Sequence, residues 1–457
     1  MRSKLFFKHV LISVCLLSFS LSACTPVQEG VVSTATPLSL PTESLSTAMP
    51  SPSAPPVSIS TIMVAFVKDG NIQVWDEATG QTQTIFDAGD AIGVSVSDDG
   101  QVLAFLRRSA VQLAEDPWTN WREQSTLWAI DRDGNNLREL VSADALRSLL
   151  EAAETESTNI PQMEWIPGTH RLLYSAWRYI VQAEGESHAV PEGLFLVDAD
   201  SLSESVLMPA GSNLRFVPSP DGQQIALMSP TGLSFINADG SDLRSDALSY
   251  PEAGLTGPLL PTGNWTQDSR AFVTIGSFEL DPEFNISFTL WKVPVGGSPP
   301  EALATIDRSD PRSVTFSPDG RQVAFSQYKD QEPSELAGWS IISLPTGVGP
   351  LAIPQHLDLS FAGVHWSPDE RAFNGTMREL CPGATWDSEV CDSELSFDGS
   401  AAAIQWLDAS RFLFLTREPS VLFLVTLDPS GVFDATSVPI VAWPLEDLSG
   451  LDRKSVV

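Results

Sequence analysis

The chain has 457 residues, more than one ordinary hydrophobic core accommodates, so either several domains or one large repeat architecture is expected. Hydrophobic residues make up 42%, ample for a core. Acidic residues outnumber basic ones, 58 to 26, for a formal charge of −32; this argues against a nucleic-acid partner, which needs clustered Lys and Arg, and is ordinary for an acid-biased soluble surface. The N-terminus reads as an address. Arg2, Lys4 and Lys8 form a basic region, and Val10 to Phe19 is an apolar stretch too short for an ordinary transmembrane span. No other stretch approaches 18 consecutive apolar residues.

Next comes Leu21-Ser22-Ala23-Cys24, which resembles the bacterial lipobox. A plain secretory signal needs small residues before its cut but has no use for a Cys immediately after them. The resemblance implies that residues 1–23 are a lipoprotein signal peptide, that Cys24 is diacylated, and that the lipid holds the protein on a bacterial membrane, outside the cytoplasm. Thr25, not Asp, follows Cys24, so retention at an inner membrane is not indicated. Residues 24–60 are dominated by Ser, Thr and Pro, a composition that cannot offset ordering entropy and predicts a disordered tether. A flexible chain of that length spans about 30 Å.

From there one hairpin recurs seven times: Val96 to Phe105 (VSDDGQVLAF), Trp165 to Tyr174 (WIPGTHRLLY), Pro218 to Leu227 (PSPDGQQIAL), Trp265 to Thr274 (WTQDSRAFVT), Phe316 to Phe325 (FSPDGRQVAF), Trp366 to Gly375 (WSPDERAFNG) and Trp406 to Leu415 (WLDASRFLFL). Proline presets φ for the second turn position, Asp bonds back to the backbone, and Gly accepts positive φ, so Ser-Pro-Asp-Gly makes a tight turn between two strands. After each hairpin comes a third strand with a polar turn, as in LWAIDRDGNN (127–136) or LSFINADGSD (233–242), and usually a fourth strand. A period of about 50 residues with four short strands per unit predicts an all-β fold, a β-propeller of four-stranded antiparallel blades over residues 61–445, with 446–457 as a tail. The Trp residues before the turns are expected to pack between blades. Residues 62–90 look like second, third and fourth strands without a first, and SVPIVAW (437–443) is a candidate for the missing strand. That makes eight blades the favoured count and seven the runner-up.

These copies resemble the TolB-type, WD40-like propeller repeat, also found in the propeller domains of tricorn and prolyl-oligopeptidase-type proteins. The resemblance covers about residues 62–445 and implies architecture rather than activity. TolB itself pairs its propeller with an N-terminal α/β domain, whereas here a linker occupies that position, which weakens transfer of its role.

The repeated turns are short, and the long insertions fall elsewhere. Segments 107–125, 175–192, 276–288, 328–338 and 377–394 join second to third strands, and 142–160 and 249–262 join fourth to first, so all seven are expected on one face. Loops on a rigid scaffold tend to carry binding residues, and Trp118, Trp121, Arg122, Trp177, Arg178 and Tyr179 in two of them have the composition of binding hot spots. Within 142–160, Ser142 caps a short amphipathic helix. Cys381 and Cys391 bracket one loop and are expected to pair in an oxidising exterior.

Catalytic signatures are scarce. There is no G-x-S-x-G and no H-E-x-x-H, and Asp131-Arg132-Asp133-Gly134 lacks the spaced ligands of a calcium loop, so no cofactor or metal is expected. The favoured reading is a non-catalytic binding module for a protein, peptide or glycan. A glycan-active hydrolase or lyase using carboxylates gathered by folding, and a structural component of an envelope complex, stay open as alternatives.

Overall fold

A computed structural model describes residues 62–443, apart from 113–120, 153–156, 182–186, 210–211, 213, 250–262, 281–285, 330–331, 346–347, 353–362, 370–371, 376–378, 383–394, 397–400, 409, 417–419 and 428–434. The described residues form eight antiparallel sheets in chain order. The first has three strands, Met63–Lys68, Asn71–Asp76 and Gln81–Phe86. Each of the other seven begins with one copy of the repeated hairpin. Six have four strands, paired in the order in which the chain makes them, and the sheet opened by Thr315–Phe316 has three.

One backbone bond recurs and fixes the geometry. In six of the seven hairpin sheets the carbonyl at the end of the turn accepts from the end of the third strand: Gln101 from Arg132, His170 from Ala199, Gln223 from Ala238, Arg270 from Val295 and Arg321 from Leu344, each just past that strand, and Ser410 from Leu427, its last residue, at 2.7 to 2.9 Å. The first-to-second and third-to-fourth turns of each sheet therefore leave by the same end, here called the turn face. In the first sheet Glu77 N–H donates to Ile62 O at 3.0 Å, the same bond at the same strand positions. Its strands are thus the second, third and fourth of a blade, as the sequence suggests. The missing strand is not supplied by 437–443. Residues Ala435–Trp443 are instead the fourth strand of the last sheet, paired with Ser420–Leu427. The preceding strand is next to it in sequence and offers an open antiparallel edge, so local pairing takes it. Seven sheets open with a repeat hairpin, so the propeller has seven blades built on the repeat, the runner-up count and not the favoured eight; the three-stranded first sheet lacks the opening strand that an eighth would need.

Successive sheets pack face to face through apolar clusters, as a propeller requires. Phe105 and Leu103 of the second sheet meet Val67 and Ile72 of the first. Trp165, Leu172 and Tyr174 of the third meet Val102, Ala104 and Leu127 of the second. The ring closes where Val64 and Phe66 of the first sheet pack on Leu413, Leu415 and Leu424 of the last. The fold is a β-propeller.

The repeat tryptophans sit in these seams. Trp165 and Trp265 are fully buried and Trp366 nearly so. Trp265 packs edge-on against Phe272 and tilted against Phe235 of the preceding sheet, and its Nε1 donates to Val217 O of that sheet at 2.9 Å. This is the packing role expected for them. The capped helix is also present, at Ala143–Leu149: Ser142 Oγ accepts from Ala145 N–H, and Leu146 and Leu150 are buried between the second and third sheets.

Candidate functional site

The repeated turn is a closed framework device. Ser317 Oγ donates to Asp319 Oδ1 (2.6 Å) and accepts from Gln322 N–H (2.8 Å), and Asp319 Oδ1 accepts from Arg321 N–H (3.0 Å). Ser97 with Asp99, Ser219 with Asp221 and Thr266 with Asp268 repeat the pattern. The copies that depart from the motif replace its parts. In the second copy Thr169 Oγ1 donates to Ile166 O and accepts from Arg171 N–H. In the seventh the carboxylate comes one residue early, where Asp408 accepts from the backbone N–H groups of Ser410 and Arg411. Burial tends to raise the Asp99 pKa, but the Ser97 hydroxyl, the Gln101 N–H and His170 outweigh it and hold the carboxyl below its usual range. Asp268 is held low chiefly by the Thr266 hydroxyl. These ionised side chains are occupied by their own turns.

The opposite face is built differently. In the fourth sheet the second and third strands, Gln224–Ser229 and Gly232–Asn237, are six residues each and end in a two-residue turn. In the second sheet the same two strands run Val102–Gln112 and Trp121–Asp131, in register to the pair Gln112 and Trp121. Five further residues at a rise of about 3.4 Å each carry this hairpin roughly 17 Å further along its strands. The third sheet (Arg171–Val181, Ser187–Asp198), the fifth (Ala271–Leu280, Ile286–Pro294) and the sixth (Gln322–Lys329, Glu332–Ser343) extend in the same direction. Four of the five expected second-to-third loops are thus continued hairpins. The fifth, 377–394, is not a second-to-third connection, because Glu379–Pro382 pairs as the third strand and Leu395–Ser396 as the fourth, so most of that segment joins third to fourth. A long connection leaves many backbone donors and acceptors to satisfy, and continued ladder pairing satisfies them.

The candidate binding residues map onto this face as follows. Trp121 and Arg122 are paired with Gln112 and Val111 at the far end of the second-sheet hairpin. Trp177, Arg178 and Tyr179 lie on the neighbouring third-sheet hairpin, opposite Pro191, Val190 and Ala189. Trp177 and Arg178 are half-buried and engaged in contacts of their own. The second-sheet hairpin meets the first strand of the third sheet, where Ser125 Oγ donates to Asn159 Oδ1 at 2.8 Å, and Asn159 is in turn paired with Trp177. Trp118, Cys24 and Cys391 lie outside the described residues, and with them the lipid site and the expected disulfide; Cys381 lies on the strand Glu379–Pro382, paired with Asn374. At the root of the second-sheet hairpin Arg107 is bidentate to Asp90 at 3.0 and 2.7 Å and lies over the Trp128 ring at 4.7 Å. Its guanidinium anchors the hairpin against the loop that enters the sheet.

Among the described residues no group of three or more His, Cys, Asp or Glu side chains is arranged to hold a metal ion. One titratable cluster escaped the sequence reading. His170, on the turn face, places Nε2 3.1 Å from Asp99 Oδ2 of the second sheet and Nδ1 3.0 Å from Asp200 Oδ2 of its own. Its only sequence signal is that His stands where the other copies have Gln or Arg.

No family model matches the chain, and no curated protein does. Among solved structures it is similar to the β-propeller domain of the Trilobed protease from Pyrococcus furiosus, at 12% identity over 79% of this chain and 98% of that one, TM-score 0.40. It is similar to TolB from Acinetobacter baumannii at 14% identity over 86% and 80% of the two chains, TM-score 0.31. Against the acylaminoacyl peptidase of Pyrococcus horikoshii the identity is 11%, the coverage 76% and 52%, and the TM-score 0.38. These likenesses are loose, and the propeller assignment rests on the strand order and the seams described above.

Proposed function

We propose that this protein is a membrane-anchored, extracytoplasmic lipoprotein whose propeller is a non-catalytic binding module for a protein, peptide or glycan, working through the face that carries the extended hairpins. The observation that carries the reading is the one-sidedness of the ring. On its turn face the described repeat turns are short and their side chains bond to one another, whereas four sheets prolong their central hairpins in the opposite direction. Strand-built projections on a rigid ring give preorganised surface at low ordering cost, which is what a recognition site needs. The anchoring half of the proposal rests on the resemblance of Leu21 to Cys24 to a lipobox and on the composition of residues 24–60.

Both halves have direct tests. Protein produced in bacteria fed a radiolabelled fatty acid is expected to carry label that Cys24→Ser removes; equal labelling of the two would contradict the lipid anchor. For binding, the full-length protein and a variant whose second-sheet and third-sheet hairpins are cut back to two-residue turns are compared on glycan and peptide arrays. The variant is expected to lose ligands that the parent retains. Identical array profiles would contradict the hairpin face as the binding surface.

A further inference from the structure

At the turn face an imidazole bridges the seam between the second and third sheets, beside the bonds from Gly168 to Asp98 and from Arg138 to Ala199. His170 is held by Asp99 on one ring nitrogen and Asp200 on the other, with its side chain 24% exposed. A neutral imidazole carries one N–H, so with the ring in this position one nitrogen would point a lone pair at a carboxylate. Only the doubly protonated ring donates to both.

The surroundings favour that form. From the second sheet, Asp98 Oδ2 accepts the Gly168 N–H across the seam at 2.9 Å, and Asp131 is paired with Arg138, whose Nε reaches Ala199 O at 2.6 Å. From the third sheet come Asp198, which accepts from Asp200 and Ser201 N–H groups, and Arg171, whose charge acts on Asp198 and on Asp239 of the fourth sheet. Asp221 of the fourth-sheet turn is engaged by Ser219. Partial burial draws the His170 pKa down, but the hydrogen bonds and charges of Asp99 and Asp200 outweigh it and leave the pKa above the ordinary 6.5.

We propose that His170 is a proton-operated clamp on this seam, closed while its imidazolium holds Asp99 and Asp200 together and loosened when the proton leaves. The two sheets it joins each carry an extended hairpin on the opposite face, so the clamp sets how firmly those two hairpins share one frame. The sign follows from linkage. A raised histidine pKa contributes stability that is fully present below about 6.5 and is lost as pH rises through the folded-state value. The lowered Asp99 pKa sets the acid limit, below which that carboxylate protonates.

The test uses the full-length protein in detergent with 13C-labelled histidine. The resonance that His170→Gln removes is expected to titrate above 6.5 in the parent and to move down in Asp200→Asn, a change confined to an exposed turn. Thermal midpoints of parent and Asp200→Asn are expected to differ most in mildly acidic buffer and to converge toward pH 9. A His170 resonance titrating at or below 6.5, or midpoint curves that stay parallel from pH 5.5 to 9, would overturn the proposal. If His170→Gln does not fold, the resonance is identified instead by its response to Asp99→Asn.

Discussion

Arg411 Nη1 lies 3.0 Å from Glu77 Oε1, joining residues 334 positions apart and tying the last sheet of the ring to the first. Glu77 also accepts from Ile62 N–H at 2.9 Å, and Arg411 Nε donates to Asp408 at 2.6 Å, so the pair locks a strand start on one side to a hairpin turn on the other. Both side chains are largely buried, at 17% and 28% exposure. The pair is screened less than a surface pair, desolvation offsets part of that gain, and removing one partner leaves the other half-buried and uncompensated. Glu77→Gln is expected to lower stability by about 1 kcal/mol, read as a lower urea midpoint with an unchanged slope. An unchanged midpoint would show that apolar packing alone closes the ring.

Two turn glycines separate conformational from steric cost. Gly168 and Gly320 share nearly the same backbone, with φ of 71° and 67°. A Cβ on Gly168 would meet nothing within 4 Å, whereas one on Gly320 would lie 2.2 Å from Gly349 O. Gly168→Ala is expected to cost about 1 kcal/mol, the price of a left-handed Ala, and Gly320→Ala a further 1–3 kcal/mol or so for displacing a backbone carbonyl. Equal losses in chemical denaturation would mean that the neighbouring segment yields freely.

The turn carboxylates are expected to make the ring acid-sensitive. Asp268 has a lowered pKa, so its stabilising effect is present above the ordinary value of 3.8 and is lost as pH falls through the folded-state value. Thr266→Val removes the hydroxyl that is the main cause of the shift. The stability gap between parent and variant is expected to be widest near pH 7 and to narrow toward pH 2, leaving the part due to the lost bond from Ala271 N–H. A gap independent of pH would contradict this role for the pair.

The turns were legible in the sequence because their chemistry is local: Ser317, Asp319 and Gly320 lie within four residues and bond to one another. The first sheet was legible too, since Met63 to Lys68 has the same apolar run as Val102 to Leu106. The fate of 437–443 was not, because an apolar strand fits either edge it meets and only the adjacency of Ser420–Leu427 decides between them. Nor was the continuation of the hairpins. Arg107, Arg108 and Ser109 look like a polar loop, and only their pairing with Thr126, Ser125 and Gln124 makes them strand. His170 draws its partners from 71 residues before and 30 after, a distance at which sequence spacing carries no information.

The central claim is that the hairpin face, and not the turn face, meets the partner. A photo-activatable cross-linking residue is placed singly at Ser109, Ala189 or Glu279 on the hairpins, and at Asp98, Asp239 or Asp319 on the turns, in cells that produce the full-length protein. Adducts are expected from hairpin positions and not from turn positions. Adducts formed from the turn positions while the hairpin positions give none would contradict the account.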